Sequence, residues 1–194
     1  MIKDSLFYSK ILLFGEYGII QDAMGLSIPY NFYKGKFHLT EDNYSESNEH
    51  LRNYFTYLSY LDVSGKAVAE LDLIRFKRDL KNGLAFDSTI PQGFGVGSSG
   101  ALVAAIYNEY AIDKICAENI NKTELTELKQ IFGQMESHFH GESSGLDPLI
   151  CYLNLPVIIK SKEDLDTVGI PSQNIDSQGA IFLLNTNEPG ETQP

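Results

Sequence analysis

Apolar positions come in short blocks near the N-terminus and at helical spacing further on. "SKILLFGEYGII" (9–20) is an apolar run, a Gly-Glu interruption and a second apolar run, which predicts strand, turn, strand. "GLSIPYNFYKGKFHLT" (25–40) continues in aromatic and β-branched residues suited to a strand. "EDNYSESNEH" (41–50) is polar and acidic, a surface loop or the lead-in to a helix. From Leu51 the period changes, with Leu51, Tyr54, Phe55, Leu58 and Leu61 three or four apart on one helical face. "VAELDLIRFKRDLKNG" (68–83) predicts a second helix closed by Gly83, and "LAFDSTIP" (84–91) a strand closed by Pro91.

In the second half, "ALVAAIYNEYAI" (101–112) is almost wholly apolar, which predicts a deeply buried helix. "NKTELTELKQIFGQMESHFH" (121–140) opens on a capping box, Asn121 with Glu124, and carries the stripe Leu125, Leu128, Ile131/Phe132, Met135 and Phe139. "GESSGLDP" reads as a turn, "LICYLNLPVIIK" (149–160) as two short strands and "GAIFLLNT" (179–186) as another.

Between the strand ending at Pro91 and the buried helix lies "PQGFGVGSSGA", with four glycines in the eight residues 93–100. Glycine inside an element costs about 0.5–1 kcal/mol relative to alanine, so this density needs a local reason. Gly95-x-Gly97-x-x-Gly100 matches the dinucleotide fingerprint in form, but Pro91-Gln92-Gly93 separates it from its strand and no second strand ending in an acid follows. No lysine is present to make a Walker A loop. Two readings stay open. One is a phosphate cradle, with backbone amides of Gly93, Gly95 and Gly97 and the hydroxyls of Ser98 and Ser99 at a helix start. The other is a tight turn with Ser98 as N-cap.

Other positions carry candidate chemistry. Asp147 in "HGESSGLDP" is either a base toward a hydroxyl or a turn-capping aspartate. Glu136 sits beside Met135 and Phe132 on the buried side of its helix, where an unpaired carboxylate is costly. A magnesium ion with a serine hydroxyl and phosphate oxygens would balance it, and so would a lysine. His140, four residues on, lacks the second histidine of a zinc site and reads as a capping or packing residue. Lys10 enters an apolar strand, either as a solvated strand end or as a cation that holds an anion near Asp147.

Composition narrows the partners. The 194 residues are 43% hydrophobic and 21% charged, enough for one globular domain or slightly more. A net charge of −11, from 15 basic and 26 acidic residues, argues against nucleic acid or an anionic membrane as a partner. A small anionic ligand at a locally positive site remains compatible. Cys116 and Cys151 form no CxxC and are expected to be buried reduced thiols. The charged N-terminus lacks a signal-peptide core and no apolar run is long enough to span a membrane, so a cytoplasmic protein is expected.

Three stretches together resemble the GHMP kinases, and within them the mevalonate kinases. "KILLFGEYGII" is similar to the family's first motif, "PQGFGVGSSGA" to its second, and "HGESSGLDP" to the signature His-Gly-x-x-Ser-Gly-x-Asp. Two departures are Tyr17, where the family usually has histidine, and Gly100, where alanine is common. The resemblance implies an α+β fold of the ribosomal protein S5 domain 2-like kind, a mixed sheet packed by helices. Residues 1–160 would form the N-terminal ATP-binding domain. Residues 161–194 would form a linker and the first strand of a truncated, ferredoxin-like C-terminal domain, whose own glycine-rich motif does not occur here.

For chemistry, the resemblance implies ATP-dependent phosphorylation of the C5 hydroxyl of mevalonate, with Mg²⁺. Asp147 would be the catalytic base or orienting carboxylate, with Lys10 beside it. Gly93, Gly95, Val96, Gly97, Ser98 and Ser99 would wrap the ATP phosphates. Ser99 and Glu136 would ligate magnesium, and Glu16, Tyr17 and Ser144 would line the alcohol side. Another acceptor within the family (phosphomevalonate or homoserine), an inactive ligand-binding relative, and a homodimer are the alternatives left open. A chain of this length would lack full activity on its own.

Overall fold

The computed structural model describes residues 2–15, 24–41, 46–161 and 164–169. Strand β1 (Phe7–Phe14) runs antiparallel to the long strand β2 (Gly25–Leu39), with register irregularities between Tyr8 and Ser9 and between Leu12 and Phe14. The predicted strand after the Gly-Glu interruption lies outside the described residues.

Helix α1 (Glu46–Val63) buries Leu51, Tyr54, Leu58 and Leu61, the face anticipated from their spacing. Helix α2 (Leu73–Lys81) starts later than the pattern suggested, and the reason is local. The Asp72 carboxylate caps the helix by accepting the Arg75 amide at 2.9 Å. The preceding residues are held extended against the end of the next helix, with Asp72 N–H donating to Tyr110 O and Ile112 N–H to Glu70 O. These pairings, with the bridge between Leu71 and Ala111, override helix propensity over 68–72. Asn82 closes α2, and Gly83 follows with φ of 83°.

Strand β3 (Leu84–Ser88) pairs antiparallel with the C-terminal part of β2, from Leu39–Leu84 to Gly35–Ser88. Helix α3 (Ser98–Tyr110) is buried along most of its length and touches α4, α5, β1 and β2. Its large side chains anchor the core: Tyr110 stacks on Phe76 with ring centres 4.6 Å apart, and Tyr107 meets Phe132 edge-on at 5.1 Å. Helix α4 (Lys122–His140) begins at the anticipated capping box, Asn121 Oδ1 accepting Glu124 N–H at 3.0 Å and Glu124 Oε2 accepting Asn121 N–H at 2.9 Å. Phe139 ends the anticipated stripe partly exposed.

The segment expected as two strands from 149 to 160 is instead helix α5 (Leu146–Leu153) followed by strand β4 (Val157–Ile159). An apolar run buried on every side has no period to separate helix from strand. The decisive cues flank it: Gly145 in the left-handed region at one end, Asn154 in the same region at the other, and Pro148 in a first turn where a missing N–H is tolerated. β4 pairs antiparallel with Gly25–Ser27 of β2, and with strand β5 (Leu165–Thr167) on its other side. Every pairing between the described strands is antiparallel. Both cysteines are free thiols, but Cys116 is exposed and only Cys151 is buried. The predicted strand at 179–186 lies outside the described residues.

Candidate active site

The glycine segment enters α3 through a backbone that side chains resist. Gly93, Gly95 and Gly97 have φ of 79°, 67° and 83°. Gly97, not Ser98, is the N-cap of α3, and no side chain caps the helix, which corrects the expectation of a serine cap. The first-turn amides of α3 therefore lack a capping side chain at a terminus where the helix dipole is positive. Gly97 is also a point of close approach, since a Cβ there would lie 3.0 Å from Lys10 Cγ.

β1 is tied to this segment by Lys10 N–H donating to Val96 O at 3.0 Å. The Lys10 side chain is buried rather than a solvated strand end, and its ammonium lies 2.9 Å from Asp147 Oδ1. Asp147 stands in the first turn of α5, not in a turn before a strand, so it faces the positive end of its own helix as well as Lys10. Its side chain is about one-third exposed. One end of the pair is thus open to solvent. Beneath it, the buried Cys151 thiol approaches Gly97 O at 3.8 Å, and burial pushes that thiol well above its ordinary range.

Glu136 comes in from α4. It is 3% exposed and forms no ion pair with lysine among the described residues. Two hydroxyls engage it instead: Ser99 Oγ donates to Oε1 at 2.9 Å and Ser143 Oγ donates to Oε2 at 2.6 Å. Burial, then the charge of Asp147, raises its carboxyl from the ordinary 4.5 to about 7, against the two hydrogen bonds and Lys10, which lower it. His140, one turn later on the same face, places Nε2 3.1 Å from Ser99 Oγ.

The fold therefore brings Lys10, Val96, Gly97, Ser99, Glu136 and Asp147 together. Gly93 and Gly95 lie exposed on the loop before them, and Ser98 is the first residue of α3. Ser144 is exposed and its hydroxyl accepts Leu146 N–H at 3.4 Å. Glu16 and Tyr17 lie outside the described residues. Reading the sequence missed Ser143 altogether and took His140 for a capping or packing residue. The four-residue spacing from Glu136 was the available signal for His140. For Ser143 only the serine-rich turn pointed toward the site.

Among the described residues no group of three or more His, Cys, Asp or Glu side chains could hold a metal ion. The donors at hand are oxygens, Ser99 Oγ and Glu136, beside the start of α3. That set is too small for zinc, and it fits a hard cation that completes its shell with phosphate and water oxygens.

Residues 64–154, from the end of α1 to the end of α5, match the family model described as the GHMP kinases N terminal domain. Over those residues, a little under half of its length, the chain is similar to a GHMP kinase N-terminal domain. The Methanococcus jannaschii mevalonate kinase crystal structure aligns over 87% of this chain and 56% of that one, with TM-score 0.52 and 14% identity. A second mevalonate kinase structure aligns over 84% of this chain and 55% of that one, with TM-score 0.50 and 15% identity. At such identities the likeness shows a shared fold and nothing beyond it. The chain spans a little over half the length of these solved structures. No curated protein matches the sequence. Among the described residues, no helix of the domain is long and apolar enough to cross a membrane.

Proposed function

We propose that the chain is the nucleotide-binding portion of an ATP-dependent small-molecule kinase whose acceptor is the C5 hydroxyl of mevalonate. The observation that carries this reading is the Lys10–Asp147 pair, 2.9 Å apart and tied to the glycine loop through Val96 O. A carboxylate and a cation beside a glycine loop at a helix start are groups that phosphoryl transfer to an alcohol requires.

In this reading the amides from Gly93 to Ser99 hold the ATP phosphates, with Ser98 and Ser99 at the positive end of α3. Asp147 orients the alcohol and accepts its proton as the alcohol oxygen bonds to the γ-phosphorus and the bond to the ADP oxygen breaks. Lys10, paired with Asp147 at 2.9 Å, orients that carboxylate and offsets charge on the transferring group. Ser99 and Glu136 would hold Mg²⁺, which when bound neutralises phosphate charge. Glu16, Tyr17 and Ser144 would face the acceptor.

Incubation with ATP, Mg²⁺ and mevalonate tests the reading, with 5-phosphomevalonate as the expected product. Turnover of phosphomevalonate or homoserine instead would move the acceptor within the family. ATP binding without ADP release for any alcohol would make the chain a ligand-binding relative. Failure to bind ATP would remove the kinase reading.

A further inference from the structure

We infer that Ser143 is a positioning residue, which fixes the Glu136 carboxylate so that its Oε1 edge, shared with Ser99, is the one offered to a divalent cation. The inference rests on the reading above and concerns a residue that neither sequence motif nor fold likeness brings forward.

The two oxygens of Glu136 are held from opposite sides of the site. Ser99, on the phosphate-loop helix, donates to Oε1 at 2.9 Å, and Ser143, in the turn between α4 and α5, donates to Oε2 at 2.6 Å. The two hydroxyls differ in freedom. Ser99 stands in the first turn of α3, and besides Glu136 its oxygen meets, among the described residues, only Nε2 of the exposed His140 at 3.1 Å, a side-chain end that an incoming cation can displace. Ser143 has both functions engaged within the protein, because its oxygen also accepts Gly145 N–H at 3.1 Å. Its hydroxyl direction is thereby set.

The turn that holds Ser143 is itself locked. Gly145 has φ of 74°, and a Cβ there would lie 2.5 Å from Gly133 N and collide with Lys129 O, so α4 and the start of α5 touch backbone to backbone. One hydroxyl thus joins the carboxylate on α4 to the turn that launches α5, two residues before Asp147. His140 cannot substitute, since its Nε2 touches Ser99 Oγ rather than the carboxylate. A ligand carboxylate free to rotate binds its metal less tightly, and losing such a supporting partner typically costs about 10–100-fold in metal affinity.

The experiment is calorimetric titration of ATP in excess Mg²⁺ and, separately, in EDTA, with wild type, Ser143→Ala, Ser143→Val and Ser143→Thr. The quantity read is the ratio of the two affinities. Ser143→Ala and Ser143→Val should lose about tenfold of the Mg²⁺-dependent gain, with affinity in EDTA unchanged. Ser143→Thr, matched in shape to valine but carrying a hydroxyl, should restore it. A purely architectural serine would instead lower both affinities together, and that result overturns the inference. So does a wild-type ratio in the hydroxyl-free variants. If these do not fold, Ser143→Cys, with similar bulk and a weaker donor, should show an intermediate loss, and an unchanged ratio there counts against the proposal equally. A wild type whose ATP binding ignores Mg²⁺ would defeat the cation assignment itself, and the role of Ser143 with it.

Discussion

Gly100 on α3 faces the backbone of Asp147 so closely that a Cβ built on it would sit 2.8 Å from Asp147 C and Pro148 N. The helix that follows the glycine loop and the helix that carries Asp147 are therefore spaced by the absence of one methyl group. Contact this close is rigid, because backbone atoms cannot rotate away as a side-chain end can.

Gly100→Ala is accordingly expected to destabilise the protein by about 1–3 kcal/mol through overpacking, and to push α5 off α3. Chemical denaturation gives the stability change. The displacement should appear as weaker turnover at unchanged affinity for ATP in EDTA. An alanine variant with wild-type stability and turnover would show that α5 relaxes freely, and that this spacing does not matter.

Asp147→Asn separates chemistry from binding. The amide keeps the shape but cannot accept the acceptor's proton, so turnover should fall by about 10²–10⁴-fold while the affinity for ATP stays near wild type. Lys10, buried at the base of the pair, loses its counter-charge, which should lower stability by about 1–3 kcal/mol. Steady-state kinetics beside calorimetry reads both effects. Normal turnover would take Asp147 out of the mechanism.

Much of this arrangement was legible in the sequence, and the parts that were not share a cause. The unusual backbone of the glycine loop was legible, because four glycines in eight residues point to left-handed φ, which Gly93, Gly95 and Gly97 adopt. The capping box at Asn121 and Glu124 fixed the start of α4 by local chemistry alone. The burial of Lys10 was not readable, since its partner is 137 positions away and only the fold joins them. α5 was mistaken for a strand because its apolar residues are covered on all sides, leaving no periodic signal. The beginning of α2 moved because residues 70–72 found backbone partners at the end of α3, a tertiary gain that local propensity does not record. Glu136 was rightly singled out as a buried carboxylate needing a partner, yet its partners are the hydroxyls of Ser99 and Ser143 rather than a lysine.

That buried carboxylate makes ligand-free stability depend on pH in an unusual sense. Glu136 is raised from 4.5 to about 7, so between those values the folded chain holds a proton that the unfolded chain has released. Folding stability from this group is fully present below the unfolded value and is lost as pH rises through the folded one. The displacement is equivalent to about 3 kcal/mol. Urea denaturation from about pH 5 to about pH 8 should therefore show wild type losing about that much relative to Glu136→Gln, whose amide does not titrate. A bound divalent cation favours the ionised carboxylate and should flatten or reverse the slope. Parallel pH curves for the two proteins would mean that Glu136 is already ionised in the ligand-free fold, with Ser99, Ser143 and Lys10 together outweighing its burial.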